Sequence, residues 1–363
     1  MRKRVGESGV GSAKSDSHVS EKEERGTSPG SVTTRSGWWA WMKRGLIGFF
    51  VIYVSAAFAP RLFPGVVKFL VYAHTVRVPF FTDLSRPADL SLNHTLNMYL
   101  TPEDGITVAV WHTVPDSLWE EAQGKGPDWY KESLANGAPI FIYLHGNGGT
   151  RGASHRVGLV KVLSATGYHV LSLDYRGFAE STGEPTEPGL TTDALYLYQW
   201  VKAHSGNSLV CIWGHSLGTG VATNMALKLQ EQGTSVDGVI IESPFTNARH
   251  AGKNHPFAWF YFRFPWFDYF FLDPLKDNHV FFTNDDNLRK LKIPLLILHA
   301  EDDLIVPFHM GQELYDIARS AQNSEERVKM VRFNKELGYV HNGSYKDPRM
   351  PAIIREFVES LSS

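Results

Sequence analysis

The sequence predicts an α/β fold in which a mostly parallel sheet is covered by helices on both faces. Three observations predict it. From about residue 93, short apolar runs of strand length alternate with amphipathic stretches of helix length, the pattern of a parallel sheet flanked by helices. One run, Leu209 to Trp213, passes straight into Gly214-His215-Ser216-Leu217-Gly218 and then into a small-residue helix, the context that sets a serine at the tip of a sharp strand-to-helix turn. The alternation then breaks for about fifty residues and resumes at Pro294, as it does when a segment is inserted on a sheet scaffold.

The chain has 363 residues, enough for one large domain or two ordinary ones. Hydrophobic residues make up 43% and charged residues 20%, so a sizeable core can be buried. A net charge of −2 excludes a general nucleic-acid binder, which needs a basic face. Cys211 is the single cysteine, so no intrachain disulfide and no cysteine zinc cluster can form. No metal and no cofactor is expected, and oligomeric state is not declared.

Taken in order, residues 1–36 are rich in Gly, Ser, Lys, Glu and Arg and read as a disordered cytosolic tail, because they cannot bury enough apolar surface to offset ordering. Residues 37–63 read as a transmembrane anchor. Trp38, Trp39 and Trp41 precede Lys43-Arg44, and the sixteen residues Gly45 to Pro60 are uncharged. That run is short for a spanning helix, but snorkelling of Arg44 and Arg61 and the tryptophan cluster extend it. A cleaved signal peptide fits poorly, since the basic residues lie more than forty positions in. A buried core helix is the remaining alternative. The basic flank favours a cytosolic N-terminus, with the rest of the chain across the membrane. Two sequons follow, at Asn93 and Asn342, and they matter only if that part is lumenal.

Residues 64–92 read as a juxtamembrane segment and 93–363 as the catalytic domain. Thr95 to Leu100 and Ile106 to Val110 suggest an antiparallel entry hairpin. Strands are expected at 139–144, 168–173, 209–213, 236–241, 294–298 and 328–333. Helices are expected at 153–166, 190–203, 217–232, 308–320 and 351–361. Residues 116–137 read as an irregular excursion, and about 245–290 as a cap insertion.

The chemistry follows from the turn at Ser216. Gly214 and Gly218 remove side chains at its corners, and the N–H of Leu217, first in the following helix, can face a developing oxyanion. Serine needs a base, and the base an orienting acid. In this topology the acid follows a later strand and the histidine follows the last, at the sheet edge where ligands bind. The acid loop is His299-Ala300-Glu301-Asp302-Asp303-Leu304-Ile305-Val306-Pro307. Asp303 is chosen for its D-x-x-V-P setting, with Asp302 as rival. His341 lies after the final strand; His215 sits inside the turn, and His299 and His309 flank the acid loop in less suitable places. After Leu144, the loop His145-Gly146-Asn147-Gly148-Gly149 would supply a second oxyanion donor, the N–H of Asn147. It is not a phosphate loop, since no Lys-Ser/Thr follows the glycines.

In the insertion, eleven of the fifteen residues from Phe257 to Phe271 are aromatic. A core helix so composed would be overpacked, so the stretch reads as a lipid-facing cap carried by Trp259, Phe260, Trp266 and Phe267, with Arg263 and Asp268 at its polar edge. A purely structural aromatic cluster is the alternative.

The motifs GHSLGTGVATN, LHGNGGTRGASHR, DYRGFAESTG, ESPFTN, HAEDDLIVPF and LGYVH together resemble the abhydrolase domain-containing protein 12 family, from about residue 45 to the C-terminus. The resemblance implies the α/β-hydrolase fold and a serine hydrolase acting on lysophosphatidylserine and monoacylglycerols. Ser216 would be the nucleophile, Asp303 the acid and His341 the base. It also implies an endoplasmic-reticulum anchor, a lumenal active site and N-glycosylation. Ala179 departs from the commoner hydrolase pattern, in which glycine often stands there. A protein or acyl thioesterase would use the same triad, and a non-catalytic membrane scaffold would need none of it.

Overall fold

The computed structural model describes residues 35–324 and 326–362. The disordered tail expected over residues 1–36 falls outside the described residues, apart from Arg35 and Ser36, which open the first helix. The chain divides into two compact units between Ile52 and Tyr53.

Helix α1 (Arg35–Leu62) has 28 residues. Its stretch Gly37–Leu62, with mean hydropathy 1.7, is long and apolar enough to cross a membrane. In the first unit it presents Leu46, Ile47, Phe50 and Ile52 as exposed apolar side chains.

The second unit begins at Tyr53. After α2 (Pro64–Tyr72), the segment to residue 92 is part of the domain body. Val67, Tyr72, Leu84 and Leu92 are buried. Gly148, Gly149 and Thr150 donate their N–H groups to the carbonyls of Tyr72, Val76 and Val78 at 2.8, 2.7 and 3.1 Å. The Trp111 indole donates to Leu84 O at 2.8 Å. These partners come from distant loops, so no local periodicity announces them.

The sheet follows: β1 (Thr95–Glu103), β2 (Ile106–Thr113), β3 (Ile140–Leu144), β4 (His169–Asp174), β5 (Val210–His215), β6 (Gly238–Glu242), β7 (Leu295–Ala300) and β8 (Val328–Phe333). Their spatial order is β1-β2-β4-β3-β5-β6-β7-β8. The β1–β2 and β2–β4 pairs are antiparallel and all others parallel. The helices are α3 (Pro127–Ser133), α4 (Ser154–Ala165), α5 (Glu187–His204), α6 (Leu217–Glu231), α7 (Ala248–Asn254), α8 (Asp273–Asp277), α9 (Asn284–Lys290), α10 (Phe308–Gln322) and α11 (Met350–Glu359).

Alternation along the strands sorts the core into two layers. Ile140, Ile142, Leu144, Val210, Ile212, Val239, Ile241, Leu295 and Ile297 face α5, α6, α9 and α10. Phe141, Tyr143, Cys211, Trp213, Ile240, Leu296 and Leu298 face α4 and α11. Strands covered on both sides read as continuous apolar runs, which is why they are visible in the sequence.

The insertion between β6 and β7 has two halves. From about residue 280 the chain returns to the body. The Glu187 carboxylate accepts from the Phe281 and Phe282 N–H groups at 2.6 and 2.9 Å. Asn284 donates to Thr219 and to Phe245 O, and Asn287 donates to Thr223 and Asn224. The earlier half holds the aromatic stretch, broken into a 3-10 turn over Pro256–Phe260 and a π turn over Asp268–Leu272. Trp259, Phe260 and Trp266 are 70%, 61% and 73% exposed. Phe267, expected beside them on the lipid-facing side, is turned inward instead. It stacks on Phe271, with ring centroids 5.2 Å apart, and packs with Ala258 and Leu272. Residues four apart share a helical face, so the π turn gathers both rings on its inner side. The C-terminal end of α1 completes this cluster. Tyr53 stacks on Tyr261 at 4.7 Å, Phe58 meets Phe270 at 4.5 Å, and Arg61 lies over Tyr269 and pairs with Asp277.

Candidate active site

β5 ends at His215, and Ser216 turns the chain into α6 with φ 51° and ψ −117°. A non-glycine residue at positive φ is strained and marks the elbow geometry that lifts a serine off the sheet edge. The corner has no room for side chains. A Cβ on Gly214 would lie 2.5 Å from the Gly218 carbonyl oxygen, and one on Gly218 would collide with the Leu144 carbonyl. The Ser216 N–H is held by Glu242 O at 2.9 Å. Leu217 is the first residue of α6, so its N–H has no partner within the helix.

The neighbouring strand ends bring Asp303 and His341 to the same edge. Asp303 Oδ2 lies 2.7 Å from His341 Nδ1. Its Oδ1 accepts from the Ile305 and Val306 N–H groups at 2.9 Å each, and His299 Nε2 stands 3.4 Å from Oδ2. Burial opposes ionisation of Asp303, but the neighbouring imidazoles of His299 and His341 and the Val306 N–H outweigh it and hold the carboxyl well below the usual carboxylate range. An ionised acid bonded to Nδ1 fixes the imidazole tautomer that leaves Nε2 free to accept a proton. Asp302 does something else: its Oδ1 accepts from the Val340 N–H at 3.1 Å and tethers the loop that carries His341. No hydrogen bond joins His341 to the Ser216 hydroxyl among the described residues. Such contacts commonly close only when substrate arrives.

Several supporting residues were not foreseen in the sequence. His215 Nε2 donates to the His341 carbonyl at 3.1 Å, and Ser243 Oγ approaches the same oxygen at 3.4 Å. The buried Glu242 carboxylate accepts from Trp213 Nε1 at 2.9 Å and from the Ser344 hydroxyl. Burial raises its pKa, partly countered by those two donors. His299 Nε2 donates to Val306 O at 2.9 Å and so braces the acid loop. Of the other histidines weighed, His309 lies exposed on α10. Asn147 is exposed at the loop after β3, and both sequon asparagines, Asn93 and Asn342, are exposed. The arrangement suits one kind of chemistry: a serine on a strained backbone turn at a helix start, beside an imidazole oriented by a carboxylate, suits acyl transfer through a covalent serine ester.

A family model described as the alpha/beta hydrolase fold matches residues 139–285. Lysophosphatidylserine lipase ABHD12 of Xenopus tropicalis is 50% identical over 325 residues, 89% of this chain and 84% of that protein. The protein of the same name from Mus musculus is 49% identical over 89% of this chain and 82% of its own length. Protein ABHD12B of Homo sapiens is 47% identical over 84% of each chain. Among solved structures, an alpha-beta hydrolase from Vibrio vulnificus superposes with a TM-score of 0.59 at 16% identity, covering 81% of this chain and 92% of its own. The Pyrococcus furiosus esterase Pf2001 gives 0.55 at 21% identity, covering 75% and 92%. At those identities the two structures speak for the fold alone.

Proposed function

Since this chain belongs to the ABHD12 family of α/β-hydrolases, we propose that it is a membrane-anchored serine lipase cleaving the acyl ester of lysophospholipids, lysophosphatidylserine among them, and of monoacylglycerols. The observation that carries the reading is the 2.7 Å bond between Asp303 and His341 beside the Ser216 elbow. His341 takes the Ser216 proton as the hydroxyl oxygen attacks the ester carbonyl. The Asn147 and Leu217 N–H groups receive the oxyanion. The intermediate collapses, His341 returns the proton to the departing glycerol oxygen, and an acyl-enzyme remains on Ser216. Water, deprotonated by the same imidazole, then releases the fatty acid.

Substrate access follows from the cap. Pulling a single-chain lipid into water costs about 0.8 kcal/mol per methylene, so capture from the bilayer is favoured. The exposed Trp259, Phe260 and Trp266 support a membrane-facing cap, since they belong to the stretch whose Tyr261 and Phe270 meet Tyr53 and Phe58 at the end of α1. The endoplasmic-reticulum membrane is the proposed site, with a cytosolic N-terminus and a lumenal catalytic domain. The basic flank of α1 and the exposed Asn93 support that orientation. A glycan on Asn342, next to His341, would crowd the site, so low occupancy is expected there. The test is a panel of lysophospholipids and monoacylglycerols presented to membranes holding the protein or its Ser216→Ala variant. Serine-dependent release of fatty acid from lysophosphatidylserine is the expected result; turnover of acyl thioesters with no lipid ester hydrolysis would sink the proposal. Peptide N-glycosidase treatment with protease protection of sealed microsomes tests the orientation.

A further inference from the structure

Arg156 in α4 is a buried cation, 3% exposed, that the mechanism above does not use. A buried guanidinium is costly unless paired, yet no ion pair to it is found among the described residues. Arg151, five residues earlier, takes the carboxylates of Asp174 and Glu180. Arg156 instead spends its donors on the carbonyls of one loop. Its Nη1 donates to Thr150 O at 2.9 Å. Its Nη2 donates to Gly148 O at 2.7 Å and to Gly146 O at 3.2 Å. His145 Nδ1 also holds Gly146 O, at 2.7 Å.

The peptide plane turns this into a statement about Ser216. The Gly146 carbonyl and the Asn147 N–H belong to one planar trans unit and point in opposite directions. Drawing the oxygen toward Arg156 aims the N–H away from it. Gly146 itself lies against the nucleophile: a Cβ added to it would sit 3.1 Å from the Ser216 Cβ. The outer flank of the loop is fixed too, because the Gly148 and Gly149 N–H groups are bound by Tyr72 O and Val76 O. A cation on a carbonyl also polarises its peptide and sharpens the attached N–H as a donor. We propose that Arg156 is a positioning residue for acyl transfer, holding and polarising the Gly146–Asn147 peptide so that its N–H receives the oxyanion. This rests on the serine-lipase reading and on Asn147 as the oxyanion donor.

The experiment uses full-length protein in membranes, with rates normalised to sites titrated to completion by a fluorophosphonate. Arg156→Gln should lower kcat on a short soluble ester by about 10²-fold, the scale of losing one oxyanion donor. KM should stay within about threefold of the parent. Arg156→Lys, which keeps the charge but not the fork, should lose about tenfold. Inhibition by an alkyl trifluoromethyl ketone, which forms a charged tetrahedral adduct, should weaken by the same factor as kcat, while affinity for the fatty-acid product stays unchanged. Asn147→Pro, which removes the N–H itself, should also fall in kcat and ketone affinity. A parental kcat per titrated site in Arg156→Gln, beside an impaired Asn147→Pro, overturns the role of Arg156 alone. A fully active Asn147→Pro overturns the oxyanion assignment beneath it. Failure of both Arg156 variants to give any titratable sites overturns the proposal as well, since it marks a residue needed only for folding.

Discussion

Asp302 and Asp303 share a dipeptide and divide its work. Asp303 receives His341 Nδ1, while Asp302 receives the Val340 N–H. Asp303→Asn should therefore cost on the order of 10⁴ in kcat, because an amide cannot hold the required imidazole tautomer. Asp302→Asn keeps an oxygen for Val340 and should lose no more than a fewfold. Steady-state rates on one soluble ester check both, and a dead Asp302→Asn beside an active Asp303→Asn would reverse the assignment. The choice between them could be made from the sequence because the acid's spacing to Val306-Pro307 is a local signal. Glu242, His299 and Arg156 could not be read that way. Ser344 reaches Glu242 because distant loops meet at one sheet edge, while Val306 and the 146–150 carbonyls are near in sequence but reach His299 and Arg156 through irregular loop turns that carry no periodicity.

The cap shows the same limit on the scale of an element. Its existence was plain from the break in alternation and the density of rings, yet the sequence could not tell which rings face out. Helical periodicity fails in a stretch built from a 3-10 turn and a π turn. The strands and the major helices, by contrast, stood close to their expected ranges, since each is long, periodic and buried on defined faces. Two substitutions separate the faces. Changing Trp259, Phe260 and Trp266 together to Ser should reduce hydrolysis of long-chain lipid in vesicles several-fold more than hydrolysis of a short soluble ester. Phe267→Ala removes a buried ring from the small cluster with Phe271 and Leu272 and should destabilise by about 3 kcal/mol, seen as a lower Tm. If Phe267→Ala leaves Tm unchanged while selectively impairing vesicle hydrolysis, the ring faces lipid after all.

Across the whole molecule, buried histidines set an acid limit. Burial depresses His112 and His215 well below the ordinary value, His155 to about 3 and His169 to about 4, with the neighbouring Arg156 adding to the shift at His155. The unfolded chain takes up these protons first, near pH 6.5. Stability therefore stands in full above that pH and falls as pH drops toward the folded-state values. At pH 5, His155 alone should cost about 2 kcal/mol. Tm measured from pH 7.5 to 5 should decline steeply, and His155→Gln should flatten the slope; a Tm independent of pH over that range would contradict it.

The seam between residues 72–78 and the 146–150 loop fixes what shedding from the membrane would do. A cut at Phe63 would release a body that retains the carbonyls of Tyr72, Val76 and Val78, and the liberated fragment should still hydrolyse a short ester. It would have lost Tyr53, Phe58 and Arg61 from the underside of the aromatic cluster, so its grip on bilayer lipid should be poor. A cut between Ala73 and Leu84 would let those carbonyls leave Gly149 and Thr150. Scission there would switch the enzyme off, whereas scission at Phe63, ten or more residues upstream, would change its substrate.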